Sequence, residues 1–416
     1  MEQPLLSVRE QSRLRDEWLA TRLATVVPAI MERAGIDCWV LVAREYNEDP
    51  VVKTMLPATW LNARRRTILV FTSFGAERIA IARYAVGSAF PAGWDPEDEP
   101  DQWGRLAAYL EEQNPQCIGV NVSPTFALAD GFSSSEYEQF QAALSPALRS
   151  RLVPAHDLAI GWLETRSPDE MSRYPEVCGR AHGLLRRALS GEVITPGTTT
   201  TTDLEWWLRQ EVTDRGFDSW FQPTVSVQRE EAGETAGSFA SKPGEETILP
   251  GDLVHIDFGI VYLGLHTDQQ QHAYVLRPGE ATAPQSLISG LAAANQLQDI
   301  LMAELTVGRS GNDILAAARR KAADAGIDAT IYSHPIGLHG HAAGPTIGLW
   351  DEQDGVPGAG DYPLWPQTAY SIELNVAISV SEWDGQSVRI MLEEDAFFDG
   401  CEARFMDGRQ TEFWLI

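Results

Sequence analysis

The sequence predicts a two-domain protein, an α/β layered first domain over residues 1–165 and an α+β second domain over 166–416. Three observations predict it. Short apolar runs alternate with helical patterns over the first 155 or so residues. Helix signals in the second half instead stand between groups of strands. A proline-led capping pattern, Ser167-Pro168-Asp169-Glu170, marks a fresh start between the two.

The elements follow in order. Leu14, Trp18, Leu19, Leu23, Val26, Val27 and Ile30 recur at three-to-four spacing, which predicts a helix over 8–34 stopped by Gly35. Apolar runs at 38–42, 67–71 and 79–81 predict strands. A helix follows at 103–112 and a strand at 117–122. Residues 154–166 show no period and read as a linker. The capping pattern opens a helix reaching about residue 189, with a kink at Pro175. A helix at 203–215 and a polar, glycine-containing stretch at 229–246 come next. Strong strand signals fill 252–276, two helices lie near 286–305 and 311–325, and strand patterns return at 369–380, 387–398 and 411–416.

Composition narrows the function. The 416 residues hold 59 Asp+Glu against 32 Lys+Arg, a formal charge of -27. Such a chain lacks the clustered cations that nucleic acid and anionic membranes require. The four cysteines, Cys38, Cys117, Cys178 and Cys401, form no C-x-x-C pair. That excludes a zinc ribbon and fits a reducing compartment. The N-terminal stretch is charged throughout, without an apolar signal region, and no uncharged apolar run is long enough to span a membrane. The expectation is a cytoplasmic protein.

The chemistry concentrates in four segments. GDLVHIDFGIVYLGLHTDQQQHAYVL (251–276) reads as a hairpin turning near Tyr262-Leu263, which would set Asp257 opposite Asp268. Cross-strand partners lie about 4.5–5.5 Å apart, so two carboxylates there need solvent or a cation. SHPIGLHGHAAGP (333–345) puts His334, His339 and His341 within an irregular loop, and the whole chain has only 8 histidines. Glu373 sits in the apolar strand AYSIELNVAISV. In SVRIMLEEDAFF, Val388, Ile390 and Leu392 share one face, Glu393 lies on the other with Arg389 and Met391, and Glu394 falls at the end of the apolar face. Each acid alone is compatible with a solvent-facing residue. Together, two Asp, one His and two Glu form an oxygen-rich donor set suited to two divalent ions such as manganese, zinc, cobalt or iron. Such a pair activates water toward a carbonyl, with the remaining histidines available to stabilise the oxyanion.

These motifs resemble the creatinase/methionine aminopeptidase, or pita-bread, metallopeptidases of family M24, and most of all prolidase and aminopeptidase P. H-I-D-F-G followed by H-T-D, then S-H-P-I-G, S-I-E-L-N and L-E-E-D-A-F-F, occur in the family's order. The resemblance implies a creatinase-like N-terminal α/β domain at 1–165 and a pita-bread catalytic domain at 166–416. It also implies a metal shell of Asp257, Asp268, His334, Glu373 and Glu393. Asp268 and Glu393 would bridge two ions, Asp257 would bind one of them, and His334 and Glu373 the other. Glu373 would handle the proton of a metal-bridging hydroxide, and His341 would steady the tetrahedral intermediate. The implied activity is hydrolysis of short peptides or amides, with Xaa-Pro dipeptides or N-termini as the narrowest form, in a homodimer.

The chain also departs from the family. Relatives carry a histidine upstream of the G-D-x-V strand, whereas 183–254 contains none. Relatives have Arg two residues before the last glutamate, where Met391 stands here, and a Thr-Arg pattern after the second Asp, where Gln269-Gln270-Gln271-His272 stand here. Two other readings follow. One is a pita-bread enzyme acting on a non-peptide small molecule, as amidinohydrolase, ectoine-hydrolase-like enzyme or lyase. The other is a non-catalytic binding protein. Creatinase-type members lack the complete ligand set that this chain retains.

Overall fold

The structure, a computed structural model, describes residues 4–230 and 244–416. The polar stretch read at 229–246 therefore lies mostly outside the described residues. The chain divides into two compact units, one ending at Asp169 and one beginning at Glu170. Among the described residues no helix is long and apolar enough to cross a membrane.

The first unit opens with the helix Val8–Ala34. Ser7 and Glu10 cap its start reciprocally, and Gly35, at φ 67°, ends it in the left-handed conformation. Strands β1 (Cys38–Arg44), β2 (Arg66–Thr72), β3 (Glu77–Ile81), β4 (Ile118–Val120) and β5 (Leu152–Pro154) form one sheet in the order β3-β2-β1-β4-β5. The β1–β4 and β4–β5 pairs are parallel, and the others antiparallel. Helices Gln102–Gln113 and Ser134–Ala143 contribute Leu106, Leu110 and Phe140 to its core. The linker expected at 154–166 is instead a helix, His156–Glu164. Every residue from Leu158 to Glu164 is buried. A helix apolar all round shows no amphipathic period, which is why its sequence reads as shapeless.

The second unit begins with two helices, Pro168–Met171 and Tyr174–Ala188, in place of one kinked helix. Pro175 occupies the first turn of the second, where its missing N–H is harmless. After helix Thr201–Arg215 come β6 (Thr224–Gln228), β7 (Leu253–Phe258), β8 (Val261–Tyr262), β9 (Leu265–His266) and β10 (Gln269–Tyr274). Helices Gln285–Met302 and Gly311–Asp324 precede β11 (Asp328–Ile331), β12 (His334–Pro335), β13 (Thr368–Val380), β14 (Gln386–Phe398), β15 (Ala403–Phe405) and β16 (Trp414–Leu415). The main sheet runs β11-β13-β14-β10-β7-β6, with β12 on β13, β15 on β14 and β16 on β10. Of the expected strand at 411–416, only the two residues of β16 form.

The sheet has an apolar and a polar side. Ile372, Leu374 and Val376 of β13 and Val388, Ile390 and Leu392 of β14 bury against Leu287, Leu291 and Leu315 of the two helices. Strand alternation then turns Glu373 and Glu393 to the opposite side. The hairpin corrects the expected register. Its turn residues are Leu263 (φ 57°) and Gly264 (φ 78°), the positive pair of a type I′ turn. The turn thus falls one residue later than expected, and pairing moves by two, so that Asp257 faces Gln270 rather than Asp268. A shift of two keeps every side chain on its face, and both aspartates still look toward the site.

Glu394 ends the apolar face, as expected, and is 1% exposed. Its partner is His182 of the helix Tyr174–Ala188, whose Nε2 lies 2.6 Å from Glu394 Oε2 and whose Nδ1 lies 2.8 Å from Asp407 Oδ2. Burial alone would lower the imidazole pKa, but Glu394 and Asp407 outweigh it and push it up to about 10 from the ordinary 6.5. Because the folded value is raised, this stabilisation is full below pH 6.5 and is lost as pH rises through about 10. His182→Leu should cost about 3–5 kcal/mol, since it leaves a buried carboxylate without its cation. Urea unfolding at pH 7 measures this, and a variant as stable as the parent chain would contradict it.

Candidate metal centre

One row of residues crosses four neighbouring strands. Asp257 of β7 pairs with Gln270 of β10, Gln270 with Glu393 of β14, and Glu393 with Glu373 of β13. The directly opposed carboxylates are therefore the two glutamates, not the two aspartates. Like charges placed opposite each other destabilise a sheet unless something lies between them. Asp268, at the start of β10, completes a trio with Asp257 and Glu393 whose ligand atoms all lie within 4.8 Å of one another. Gly259 makes this corner possible, because a Cβ there would stand 2.0 Å from the Thr267 carbonyl oxygen.

His334 enters from β12, which pairs with β13 through Ser371. It joins Glu373 and Glu393 in a second trio within the same 4.8 Å limit, so Glu393 is common to both. The His334 Nδ1 lies 2.9 Å from the Pro335 carbonyl oxygen, which can only accept, so Nδ1 carries the proton. Nε2 is then left facing Glu393 Oε1 at 3.4 Å and Asp268 Oδ2 at 3.6 Å. A backbone carbonyl fixing the far nitrogen is the usual support of a metal-ligating histidine. Ser371 Oγ donates to Glu393 Oε1 at 2.6 Å, and the Asp268 N–H donates to Asp395 Oδ2 at 3.2 Å.

His341 groups with Asp268 and His334, its ring edge-on to His334 at 4.7 Å between centroids. Trp220 closes its other side at 5.1 Å and donates its indole N–H to the Thr267 carbonyl oxygen. Gly340 admits that indole, since a Cβ there would meet it at 2.3 Å. His341 stays exposed, and burial followed by the neighbouring His334 lowers its pKa. His339 stands apart, 6.1 Å from the His266 ring.

The donors fit divalent ions. Burial first, and the charge of Glu393 next, push the carboxyls of Asp257, Asp268 and Glu373 well above the ordinary range. For His334 burial works downward, but Glu393 and Glu373 prevail and raise it to about 9. The fully ionised cluster is therefore electrostatically costly without cations. Asp257 Oδ1, Asp268 Oδ1 and His334 Nε2 are buried without a hydrogen-bond partner. Buried polar atoms rarely go unsatisfied, and three facing one cluster of oxygen and nitrogen donors suit metal ligation.

The six residues singled out from the sequence thus converge, while His339 does not join them. Sequence reasoning missed the supporting residues. Gln269, Gln270 and Gln271 donate in turn to Asp395 (2.9 Å), Glu393 (2.7 Å) and Glu394 (3.1 Å). Three glutamines facing an E-E-D run were the available signal. Each replaces repulsion between neighbouring acids by a neutral donor.

The pattern of metallopeptidase family M24 matches residues 172–396. No curated protein matches the chain by sequence. Among solved structures, the chain is similar to X-Pro aminopeptidase from Thermotoga maritima at 15% identity, over 92% of this chain and 99% of that one, with a TM-score of 0.65. It is similar to the prolidase from Pyrococcus horikoshii at 15% identity, over 95% and 100%, with a TM-score of 0.59. It is also similar to the N-terminal domain of the FACT complex subunit SPT16 from Cicer arietinum (chickpea) at 11% identity, over 96% of each chain, with a TM-score of 0.57. These likenesses speak for the fold, a pita-bread unit preceded by a smaller α/β unit. The family pattern covers more than half of the 416 residues and takes in Asp257, Asp268, His334, His341, Glu373 and Glu393, so this chain belongs to metallopeptidase family M24.

Proposed function

We propose that this chain is a dinuclear metal-dependent hydrolase of short peptides or amides, with Xaa-Pro dipeptides as the first substrates to test. One observation carries the reading. Two three-ligand groups, Asp257–Asp268–Glu393 and His334–Glu373–Glu393, share a glutamate within a cluster of buried and half-buried residues. Family M24 is metal-dependent, and a shared carboxylate is how two ions are held about 3.5–4 Å apart. Asp268 would also bridge, Asp257 would bind one ion, and His334 and Glu373 the other. Manganese, zinc, cobalt or iron suits this donor set. The proline preference rests on what the similar solved structures are named for, and homodimerisation on family likeness.

Divalent ions in this site would polarise the scissile carbonyl and lower the pKa of an attacking water. The protein's own groups do the rest. Glu373 Oε1 is held by Gln270 at 2.6 Å, which leaves Oε2 to take the proton of the water and pass it to the leaving amine. Ser371 and Gln270 hold both oxygens of Glu393, so the carboxylate keeps its plane. A neutral His341, edge-on to His334 and backed by Trp220, presents a ring N–H to the developing oxyanion.

A second reading is favoured by Met391, which stands where relatives carry arginine, and by the lack of histidine in 183–254. Under it, the same metal chemistry acts on a non-peptide amide or related small molecule. A non-catalytic role is the weaker reading, because the complete donor set is present.

Hydrolysis of Ala-Pro, Gly-Pro, proline-free dipeptides and simple amides, measured after loading with each metal, separates these readings. Cleavage of a dipeptide is expected; turnover of amides alone would move the chain to the second reading. Asp268→Ala should abolish turnover and metal binding together while the fold persists by circular dichroism. Full activity in that variant would remove the proposed site. His341→Ala should keep metal but lose about 10²–10³ in kcat. Unchanged kcat there would exclude the oxyanion role.

A further inference from the structure

The metal shell is held by a residue outside it. Gln270 is buried, at 4% exposure, and sits between Asp257 and Glu393 in the cross-strand row. Its side-chain amide nitrogen lies 2.6 Å from Glu373 Oε1 and 2.7 Å from Glu393 Oε2. One amide group thus donates to the two opposed glutamates. The reverse orientation would set its oxygen against two carboxylate oxygens, so the amide has only one acceptable orientation. Its oxygen then faces His255 Nε2 at 3.0 Å, and that nitrogen must be the donor. His255 is itself buried between strands, its ring 4.9 Å from that of His272. The donors therefore run in one direction, from His255 through Gln270 to both glutamates.

We propose that Gln270, locked by His255, is a positioning residue that sets the carboxylate planes of Glu373 and Glu393 for metal. The proposal rests on the dinuclear reading above. Without the amide, the two glutamates would repel each other and rotate before any ion arrived. With it, their remaining lone pairs converge on the space shared with His334. His255 touches neither glutamate and acts only by fixing which end of the amide points at them. A shorter side chain at position 270 could not reach both carboxylates from β10.

Manganese(II) affinity of the metal-free chain, titrated in competition with a chelating dye, tests this without recourse to activity. Gln270→Met keeps the volume and removes the amide. It should weaken manganese binding about 10–100-fold, as loss of an outer partner does. His255→Leu should weaken it as well, and the double variant should bind no worse than Gln270→Met alone. His255→Gln keeps a donor near the same place and should restore the parent affinity. Thermal unfolding of the metal-free forms reports whether each variant folds. If Gln270→Met does not fold, the contrast between His255→Leu and His255→Gln decides. Parent-like affinity in Gln270→Met, fully additive losses in the double variant, or equal losses in His255→Leu and His255→Gln would each overturn the positioning role. A parent chain that binds no manganese would overturn the metal centre and this proposal together.

Discussion

Mutual repulsion among closely set carboxylates, two buried and two half-buried, is the constraint on which the second unit turns. Asp257, Asp268, Glu373 and Glu393 offer ligand atoms from four neighbouring strands in overlapping groups only 4.8 Å across. In a low-dielectric surround each charge raises the pKa of the next, and burial raises it further. Such a cluster is stable only with protons, with neutral donors or with cations. The structure supplies the donors from Gln270 and Ser371 and leaves three polar atoms without a protein partner. The sheet must therefore be rigid enough to hold groups that would otherwise separate. The apolar side of β13 and β14, packed on two helices, provides that rigidity.

The same sheet solves a second electrostatic problem beside the first. Glu394 and Asp395 follow Glu393 in one run, and all three are buried. His182 neutralises Glu394, while Asp395 accepts from the Asp268 N–H and from Gln269. Burial, ahead of the neighbouring carboxylates, pushes the Asp395 carboxyl well above the ordinary range. One consequence is mechanical. A buried acid hydrogen-bonded to the backbone of Asp268 fixes the strand end that carries that carboxylate.

Much of this was legible in the residues. The order of the motifs around Asp257, Asp268, His334, Glu373 and Glu393 picked out residues that the fold brings together, and the alternation in V-R-I-M-L-E separated Glu393 from Glu394. What escaped has physical reasons. The helix His156–Glu164 is buried on all sides and carries no period. The hairpin turn was placed one residue early because Leu263 adopts positive φ, a conformation that a leucine does not advertise. The glutamines at 269–271 read as polar filler, since their role depends on cross-strand register. His334 could be proposed from its motif, but its tautomer depends on the Pro335 carbonyl.

The central claim is that this carboxylate cluster exists to hold two divalent ions. Metal content per chain, by mass spectrometry after purification without chelator and dialysis against manganese, zinc, cobalt or iron, tests it most directly. The account predicts about two ions per chain for at least one metal. No retained ion under any of these conditions would contradict it and leave the repulsion in this row without its cation.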